Sequence, residues 1–587
     1  MLERFKYWQG CFIFMKLTLG DIETLVRNHE DDVHEVRKAI ENFGFIVQAG
    51  VLAGKVCLGS LYEPFKKMRS SLHRTCNDPN RLDLSAIVYA LQRLPKEITL
   101  GKEIYIQKEQ ENLTDVPGIK RIKAGGRKRA AYDLGDELEF VARDEVTDVT
   151  DIVQGLVMYG IEASEKIRVK LKDSPLVDEL DGLENNPERK NQVFARLANV
   201  FGVKYDQLKK ADAHLKFGFI DIIKNALRYD PSKVLIRFDS EFSRTDASIK
   251  ARKWNQRILE ELKEYDGRPL AIFSSDNSSV VNLLTGFAEE NREEIITLSR
   301  KNGKDDEEDF GLSKLNFDNP SMLYYALQVL TKDLQNKSLL ARKIAREEEL
   351  GIKFIRDEFD TGVDVQIFDL SRIVRDHPDK LDPRIVFDRD YVLRKGLVLL
   401  NMHYSFGRQG VHNMGGLCRN LGERIESISI TGRAGIVCVH EGGERFDIML
   451  PNYVVPQIAG GIYDFPNGNQ LKKKDLSVIF DGKIHDSGSV LTVPGTALQS
   501  DLVYYDYIMK DNILGVEMEA APYLDAIEKA YHRGLLRKDV RMHVGYWASD
   551  CPLNPDETLA ESHRERGSIP SYALIISIMN KILNNGK

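Results

Sequence analysis

The sequence predicts a multidomain α/β protein. Its 587 residues are enough for about two to four domains, each with its own core. Segments with apolar residues three and four positions apart, at 31–56 and 83–94, predict amphipathic helices. Short apolar runs typical of buried strands recur along the chain at 103–107, 234–238, 270–273, 396–402, 513–516 and 544–550. Strands that alternate with helical segments in this way are typical of the α/β class.

Composition excludes several classes of protein. Apolar residues make up 42% and charged residues 29% of the chain, as in ordinary globular proteins. The net charge of −7 argues against a protein that coats nucleic acid. The six cysteines show neither metal-like spacing nor disulfide density, so we expect a reducing, cytoplasmic location and no metal or cofactor. No apolar run reaches the ~18 residues of a membrane span.

We divide the chain into three regions. Residues 1–150 are predicted to be mainly helical, with a short apolar start in which Met15 offers an alternative initiation site. Within this region, Gly118–Arg129 carries six cations in twelve positions. That segment is typical of a solvated hairpin, although contact with nucleic acid or an allosteric anion would also use it. Residues 151–375 are predicted to form an α/β region of unknown role, and 376–587 a separate domain.

A candidate anion site follows the strand at 396–402. The chain passes through a loop containing Ser405, Gly407 and Arg408 into a predicted helix at 411–421. A strand, a glycine-containing loop and a helix together form an anion site, because the first turn of a helix presents free N–H groups.

A second candidate surface follows the alternating strand at 425–430. Arg433 stands there among small residues, including Ala434 and Gly435, that would let the backbone approach a planar base. Its guanidinium is a candidate for phosphate or carboxylate recognition.

Two carboxylates follow the strand at 513–516. In an extended chain Glu517 and Glu519 point to one face and Met518 to the other. An ionised carboxylate can accept one hydrogen bond from each hydroxyl of a ribose diol. The alternative is that both acids only complement the dipole of the helix that follows.

The run 544–550 ends in Ser549 and Asp550. A buried parallel strand delivers such a residue to the carboxyl edge of a sheet, where ligands of α/β proteins bind. Asp550 would serve as a general acid there if burial beside aromatic residues raises its pKa. The alternative is a helix cap or turn before the prolines at 552 and 555.

Taken in chain order, the loop at 407–410, the turn at 432–435, Glu517–Glu519 and Ser549–Asp550 resemble the nucleoside phosphorylase superfamily. That superfamily includes purine nucleoside phosphorylases, methylthioadenosine nucleosidases and AMP nucleosidases. Weaker similarities at 446–451 and 489–498 fall between them in the same order, and the resemblance covers about residues 380–587. Three features depart from the family pattern: Arg445 replaces a glycine, Leu498 replaces an aromatic residue, and no opening strand with a glycine-rich loop is identified.

The resemblance implies a three-layer domain with a central mixed sheet that cleaves the N-glycosidic bond of a purine nucleoside or nucleotide. By position, Asp550 would protonate the base, with Ser549 beside it, and Glu519 would bind the ribose hydroxyls, with Glu517 and Met518 adjacent. The base and anion pocket would contain Arg433, Ala434, Gly435 and Leu498, and Ser405, Gly407 and Arg408 would bind phosphate. A homo-oligomer is also implied.

Three functions remain open at this stage. A nucleosidase is favoured over a phosphate-dependent phosphorylase, because the long N-terminal extension resembles AMP nucleosidases. An inactive purine-nucleotide sensor is an alternative, since a fold does not dictate activity. A nucleic-acid-binding protein is the least favoured, because the net charge is acidic.

Overall fold

The structure is a computed structural model. It describes residues 18–107, 119–123, 130–142, 147–183, 186–215, 218–243, 247–302, 312–332, 336–359, 361–438, 441–458, 460–554 and 564–585. The basic segment of the N-terminal region is thus described only at 119–123, and the rest of its cations lie outside the described residues.

The N-terminal half contains a small mixed sheet. Its described strands are β1 (Lys55–Cys57), β2 (Glu103–Gln107), β3 (Lys120–Lys123), β4 (Ala130–Asp133), β5 (Glu137–Val141) and β6 (Leu235–Phe238), in the order β1-β6-β2-β5-β4-β3. The central strand β2 runs parallel to both of its neighbours, and the remaining pairs are antiparallel. Strand β6 returns to this sheet from almost one hundred residues beyond β5, so the small sheet spans both of the first two predicted regions.

Helices accompany this sheet, and one of them changes geometry along its length. The helix Thr147–Ile161 continues through a π-helical stretch, Glu162–Ile167, into Arg168–Leu171. The other α-helices of this half are Leu19–Asn28, Glu30–Ala53, Tyr62–Lys67, Leu84–Arg93, Pro187–Phe201, Tyr205–His214 and Phe219–Arg228.

A second, larger mixed sheet organises the rest of the chain. Its described strands are β7 (Leu270–Ser274), β8 (Lys353–Ile355), β9 (Val365–Asp369), β10 (Val398–Met402), β11 (Ile425–Ile436), β12 (Ile448–Met449), β13 (Tyr453–Pro456), β14 (Tyr463–Asp464), β15 (Ile484–His485), β16 (Ser489–Thr492), β17 (Ile513–Glu517) and β18 (Arg541–Asp550). The main path runs β14-β13-β16-β17-β11-β7-β10-β9-β8, while β18 pairs with β11 and β12, and β12 with β15. Strand β11 is long and contacts β7, β18 and β17 in turn.

Helices cover both faces of the larger sheet. One face packs against the helices Ala247–Glu261, Gly407–Leu421 and Ala520–His532, and the other against Ser279–Thr285, Pro320–Leu330 and Arg564–Leu583. The remaining α-helices are Phe287–Glu290, Arg292–Asn302, Lys337–Glu349, Leu370–Asp376, Arg389–Lys395, Lys473–Leu476 and Asp501–Asp511. The predicted α/β class, with helices on both sides of a central mixed sheet, is therefore confirmed.

The two halves share one hydrophobic core. Apolar side chains of the N-terminal helices pack in the same cluster as Leu498, Val503 and Tyr504 of the C-terminal half. Polar contacts reinforce this junction: Arg74 donates two hydrogen bonds to the carboxylate of Asp501, at 3.0 and 3.2 Å. The candidate site described below borders this junction, so the N-terminal half can influence it directly.

The predicted boundaries do not coincide with the division between the sheets. The helix Thr147–Ile161 crosses the boundary placed after residue 150. Strand β7 lies at the centre of the larger sheet, about one hundred residues before the boundary placed after 375. Its apolar pattern was enough to predict a strand, but which sheet it joins depends on pairing with β10 and β11, far away in sequence. Among the described residues, no helix is both long and apolar enough to cross a membrane.

Candidate functional site

The candidate site lies at one edge of the larger sheet, where several strands end. Strands β7, β10, β11 and β18 run parallel to one another through their mutual pairings, so their carboxyl ends point the same way. Strand β17 runs antiparallel to β11, and Val516 pairs with Gly435 near the end of both strands. This topology brings the turn at 432–435, the carboxylates after β17 and Asp550 at the end of β18 to one place.

Asp550 is the last residue of β18, and its side chain is buried. It pairs with Gly435 of β11 after an irregularity in the register. One carboxylate oxygen accepts a hydrogen bond from Ser549 Oγ at 2.7 Å, and the other lies 3.3 Å from where a Cβ on Gly435 would stand. Ser549 Oγ is also 3.3 Å from the carbonyl oxygen of Ala434. The two small residues that were predicted to admit a base therefore lie directly beside the predicted acid.

The environment of Asp550 suits an acid that must hold a proton near neutral pH. Burial raises the pKa of its carboxyl from 3.8 to about 6. The hydrogen bond from Ser549 and the nearby cations Arg433, Arg445 and Arg93 lower the pKa and limit the rise. Arg93 comes from the helix Leu84–Arg93 of the N-terminal half, so a residue far outside the segment 380–587, which carries the family resemblance, acts on this carboxyl.

Arg433 is the cation that links the two acidic parts of the site. It is an exposed residue in an otherwise buried strand. Its charge lowers the pKa of three groups, the carboxyls of Asp550 and Glu519 and the phenol of Tyr404. Arg433 therefore lies close enough to both carboxyls for its charge to act on each of them.

The carboxylate of Glu517 forms hydrogen bonds with other groups of the protein. One oxygen accepts a hydrogen bond from the Thr492 hydroxyl, and the other accepts the backbone N–H groups of Glu519 and Ala520 at 2.6 and 2.7 Å. The hydroxyl of Tyr546 donates to that second oxygen at 3.3 Å. Three of these four donors converge on one oxygen, so that oxygen is fully used within the protein, and the other oxygen is held by Thr492. Glu517 therefore fixes the turn and caps the helix that follows.

Glu519 lies at the N-cap of the helix Ala520–His532 and is buried. Its carboxylate accepts the backbone N–H of Met518 at 3.1 Å. Burial and the neighbouring charge of Glu517 raise its pKa well above the usual value, while Arg433 opposes the rise. The carboxyls of Glu519 and Glu517 also share a hydrogen bond, and Glu517 accepts the larger number of donors from the rest of the protein.

Tyr523 connects this pair to the predicted anion loop. It lies one helical turn after Glu519, and its buried hydroxyl accepts the backbone N–H of Ser405 at 2.7 Å. The same hydroxyl is 3.2 Å from Ser274 Oγ at the end of β7. Ser405 Oγ is buried and has no hydrogen-bond partner among the residues that the structure describes. A buried hydroxyl without a partner is costly, so Ser405 Oγ is available to a polar ligand.

The rest of the predicted anion loop leads directly into a helix. The helix begins at Gly407, which has a φ of +53°, in the region that favours glycine. It continues to Leu421, and Arg408 in its first turn is exposed. The helix thus starts four residues earlier than predicted, which places both Gly407 and Arg408 at its N-terminus.

The loop containing Leu498 is held by the N-terminal half. The carbonyl oxygen of Ala497 accepts a hydrogen bond from Ser70 Oγ at 2.9 Å, and its N–H donates to Gln154 Oε1 at 3.2 Å. Leu498 is buried within the shared core. Met518 is half-buried, and its sulfur accepts a contact of 3.6 Å from the Thr496 hydroxyl of this loop.

Sequence reasoning missed several members of the site. Tyr523 follows Glu519 at helical spacing, so a helical wheel drawn from Glu519 would have indicated it. Thr492 and Tyr546 reach Glu517 only through strand pairing, and Arg93 and Gln154 come from the N-terminal half. No local pattern marks these last four residues.

Solved structures with some likeness to this chain are nucleosidases. AMP nucleosidase from Bacteroides thetaiotaomicron is 12% identical with a TM-score of 0.26, and the match covers 57% of this chain and 99% of that one. A 5′-methylthioadenosine/S-adenosylhomocysteine nucleosidase from Neisseria meningitidis is 12% identical (TM-score 0.28; 40% and 94% covered). The corresponding protein from Colwellia psychrerythraea, solved with adenine, is 14% identical (TM-score 0.27; 40% and 90%). At these scores the likenesses leave the activity of this chain open.

No curated protein matches the sequence. One family model does match, over residues 58–584, which is most of the chain and includes the larger sheet and all of the small sheet except β1. The chain therefore belongs to DUF6909, a family of unknown function.

Proposed function

We propose that the protein cleaves the N-glycosidic bond of a purine nucleoside or nucleotide, with water as the preferred nucleophile. The observation that carries the proposal is the placement of a buried acid with a raised pKa, Asp550, at the same sheet edge as the buried acceptor Glu519, with Arg433 close to both. The motifs that resemble the nucleoside phosphorylase superfamily supply the substrate class.

The first requirement of this chemistry is an acid at the base. As the bond to the sugar breaks, negative charge develops on the purine, and protonation of a ring nitrogen stabilises it. A carboxyl with a pKa of about 6 is partly protonated near neutral pH and can still release its proton. Ser549 donates to one oxygen of Asp550, which leaves the other oxygen, beside Gly435, to carry the proton toward the base.

The second requirement is a hold on the sugar, which gains oxocarbenium character in the transition state. Glu519 provides hydrogen-bond capacity for ribose hydroxyls, and Met518 beside it provides an apolar surface. Because Glu517 ties down the turn with four hydrogen bonds, Glu519 does not need to reorganise when the substrate binds.

The predicted anion loop is compatible with either of the two reactions. Ser405 Oγ, the first turn of the helix at Gly407 and the exposed Arg408 could bind inorganic phosphate, as in a phosphorylase, or a phosphate attached to the substrate. We favour hydrolysis of a nucleotide, because the N-terminal half borders the site through Arg93 and through the loop at 497–498 that it holds, as an extension adapted to a larger substrate would. Under this proposal the loop holds the substrate phosphate, and an ordered water attacks the sugar.

The test is a base-release assay on the full chain. AMP, adenosine, inosine, guanosine and methylthioadenosine are each incubated with and without phosphate, and free base is quantified. Asp550→Asn should reduce release by about 10²–10⁴-fold, the usual contribution of a general acid. Asp539→Asn, an exposed carboxylate just before β18, is the matched control and should behave like the wild type.

The outcomes separate the candidate functions. Release without phosphate supports the nucleosidase, whereas release only with phosphate identifies a phosphorylase. A protein that binds nucleotide but releases no base under any condition contradicts the proposal. That result would favour the sensor. The raised pKa of Glu519 is consistent with a sensor, because a neutral carboxyl there can bind a sugar without promoting cleavage of the glycosidic bond.

A further inference from the structure

Three potential metal ligands meet outside the site described above. Cys438 lies two residues beyond β11, Glu441 follows it in the next turn, and His485 ends β15. One donor atom from each residue lies within 4.8 Å of the other two. Cys438 and His485 are 47 positions apart along the chain, so no local spacing in the sequence predicts the cluster. The pairing of β12 with both β15 and β18 brings these residues together.

The histidine is oriented as a metal ligand would be. Its Nε2 lies 2.9 Å from Asp447 Oδ2, and its Nδ1 faces Glu441 Oε2 at 3.8 Å. Metal-bound histidines generally donate the N–H of the far ring nitrogen to a carboxylate, which fixes the tautomer and leaves the near nitrogen unprotonated. Asp447 can perform this function for His485, and Nδ1 is then free to bind a cation.

The carboxylate that orients the histidine is itself held in place. Asp447 Oδ2 also accepts the backbone N–H of Glu444 at 2.9 Å, and its carbonyl oxygen accepts the N–H of Ala548 at 2.8 Å. The N–H of Phe446 in turn donates to the carbonyl oxygen of Ala548 at 2.8 Å. This pairing attaches the cluster to β18 two residues before Asp550.

The backbone also presents the thiol and the carboxylate together. The carbonyl oxygen of Cys438 accepts the N–H groups of Glu441 and Gly443, at 3.0 and 3.2 Å, which holds these residues close together. A Cβ on Gly443 would stand 2.8 Å from Cys438 Sγ and 2.7 Å from Ile436 Cδ1, so only glycine fits there. The thiol is buried and in no disulfide, whereas Glu441 is partly exposed and gives the cluster an open side.

We propose that Cys438, Glu441 and His485 bind one Zn²⁺ ion, with water in the fourth position and Asp447 orienting the histidine. Sulfur, imidazole nitrogen and carboxylate oxygen together are a donor set that zinc accepts. In tetrahedral geometry, bonds of about 2.0–2.3 Å place any two ligand atoms roughly 3.3–3.8 Å apart, so separations of up to 4.8 Å must contract by about 1 Å when the ion binds. A thiolate and a carboxylate neutralise the charge of the ion.

The ion would serve to fix this part of the fold. It would tie the turn after β11 to β15 and, through Asp447, to the end of β18. On binding, the thiol proton is released to solvent, so zinc affinity rises with pH. This inference does not depend on the proposed glycosidic activity.

Metal analysis of the full chain tests it. Protein purified without chelators should contain one zinc per chain, and protein reloaded with Co²⁺ should show a thiolate-to-cobalt charge-transfer band in the near ultraviolet. Cys438→Ala should lose both signals. Cys418→Ala, which removes another buried thiol on a helix of the same half, should keep both.

Two further variants distinguish a loss of zinc binding from a folding defect. Glu441→Gln alters a partly exposed residue, so the fold should survive while zinc binds at least tenfold more weakly. Asp447→Asn should weaken zinc by about 10–100-fold, the usual effect of removing the partner of a metal-bound histidine. Wild-type protein that takes up neither Zn²⁺ nor Co²⁺, or Cys438→Ala protein that retains zinc at wild-type affinity, would overturn the proposal.

Discussion

Replacing Asp550 with asparagine should stabilise the protein at neutral pH, even though it removes the proposed acid. A carboxyl whose pKa is raised in the folded state binds its proton more tightly there than in the unfolded chain. Asp550 therefore does not reduce the stability of the wild type below pH 3.8, where it is protonated in both states. The stability falls as the pH rises from 3.8 through about 6. Asparagine keeps the acceptor for Ser549 and never ionises.

The size of the effect follows from the two pKa values. Their difference of about two units corresponds to about 3 kcal/mol, which is the full penalty for ionising Asp550 in the folded protein. At pH 4.5 only about 1 kcal/mol of this penalty is expressed, and at pH 7.5 nearly all of it. The stability advantage of Asp550→Asn should therefore be about 2 kcal/mol larger at pH 7.5 than at pH 4.5.

Urea unfolding at the two pH values measures this difference. Tryptophan fluorescence is a suitable signal, because Trp547 lies in β18 and Trp254 in a helix that packs against the larger sheet. The control is again Asp539→Asn, whose carboxylate is exposed and paired with Arg537. An asparagine variant that is less stable than the wild type at pH 7.5, or whose advantage does not change with pH, would refute the assignment of a raised pKa to Asp550.

Three other perturbations have definite expected results. Gly435→Ala should lower the free energy of unfolding by about 1–3 kcal/mol, because its Cβ would stand 2.5 Å from a proline carbon. Gly432→Ala is the control: its Cβ meets only ordinary contacts at 3.5 Å, so the change should be nearly neutral. Equal losses for the two variants would contradict the packing around Gly435. Lys166→Met removes one partner, at 2.6 Å, of the fully buried carboxylate of Glu162, which also contacts His73, and should cost about 3–5 kcal/mol in urea unfolding; a loss below about 1 kcal/mol would show that the buried pair is unimportant. Arg93→Met removes a charge that lowers the pKa of Asp550, so the upper limb of the pH–rate profile for base release should move to higher pH; an unmoved limb would show that the N-terminal half does not act on the acid.

Much of the larger sheet could be predicted because its strands are buried on both faces. Continuous apolar runs identify β7, β10 and β18 within a few residues, and alternation identifies the first half of β11. The second half of β11 could not be predicted from apolar content, because Thr431–Gly435 consists of small or polar residues whose extended conformation comes from pairing with β18.

Site residues that lie at the ends of strands could be predicted from the sequence. Site residues that other strands or the N-terminal half contribute could not. Asp550 and Glu519 both follow apolar runs, which gives such residues a predictable place at a sheet edge. The division of work between Glu517 and Glu519 could not be predicted, since it depends on hydroxyls of Thr492 and Tyr546 from other strands. The small sheet was largely missed because its strands are only three to five residues long, too short for a periodic pattern.

Adenine release from AMP by the wild type and by Asp550→Asn, followed side by side at pH 6 and without phosphate, is the measurement to make first. We expect the wild type to release adenine and ribose 5-phosphate in equal amounts, and the variant to be slower by about 10²–10⁴-fold while it binds AMP with similar affinity. Equal rates in the two proteins would contradict the role of Asp550. Tight binding of AMP by the wild type with no adenine released, from this or any other nucleoside in the panel, would contradict glycosidic cleavage at this site.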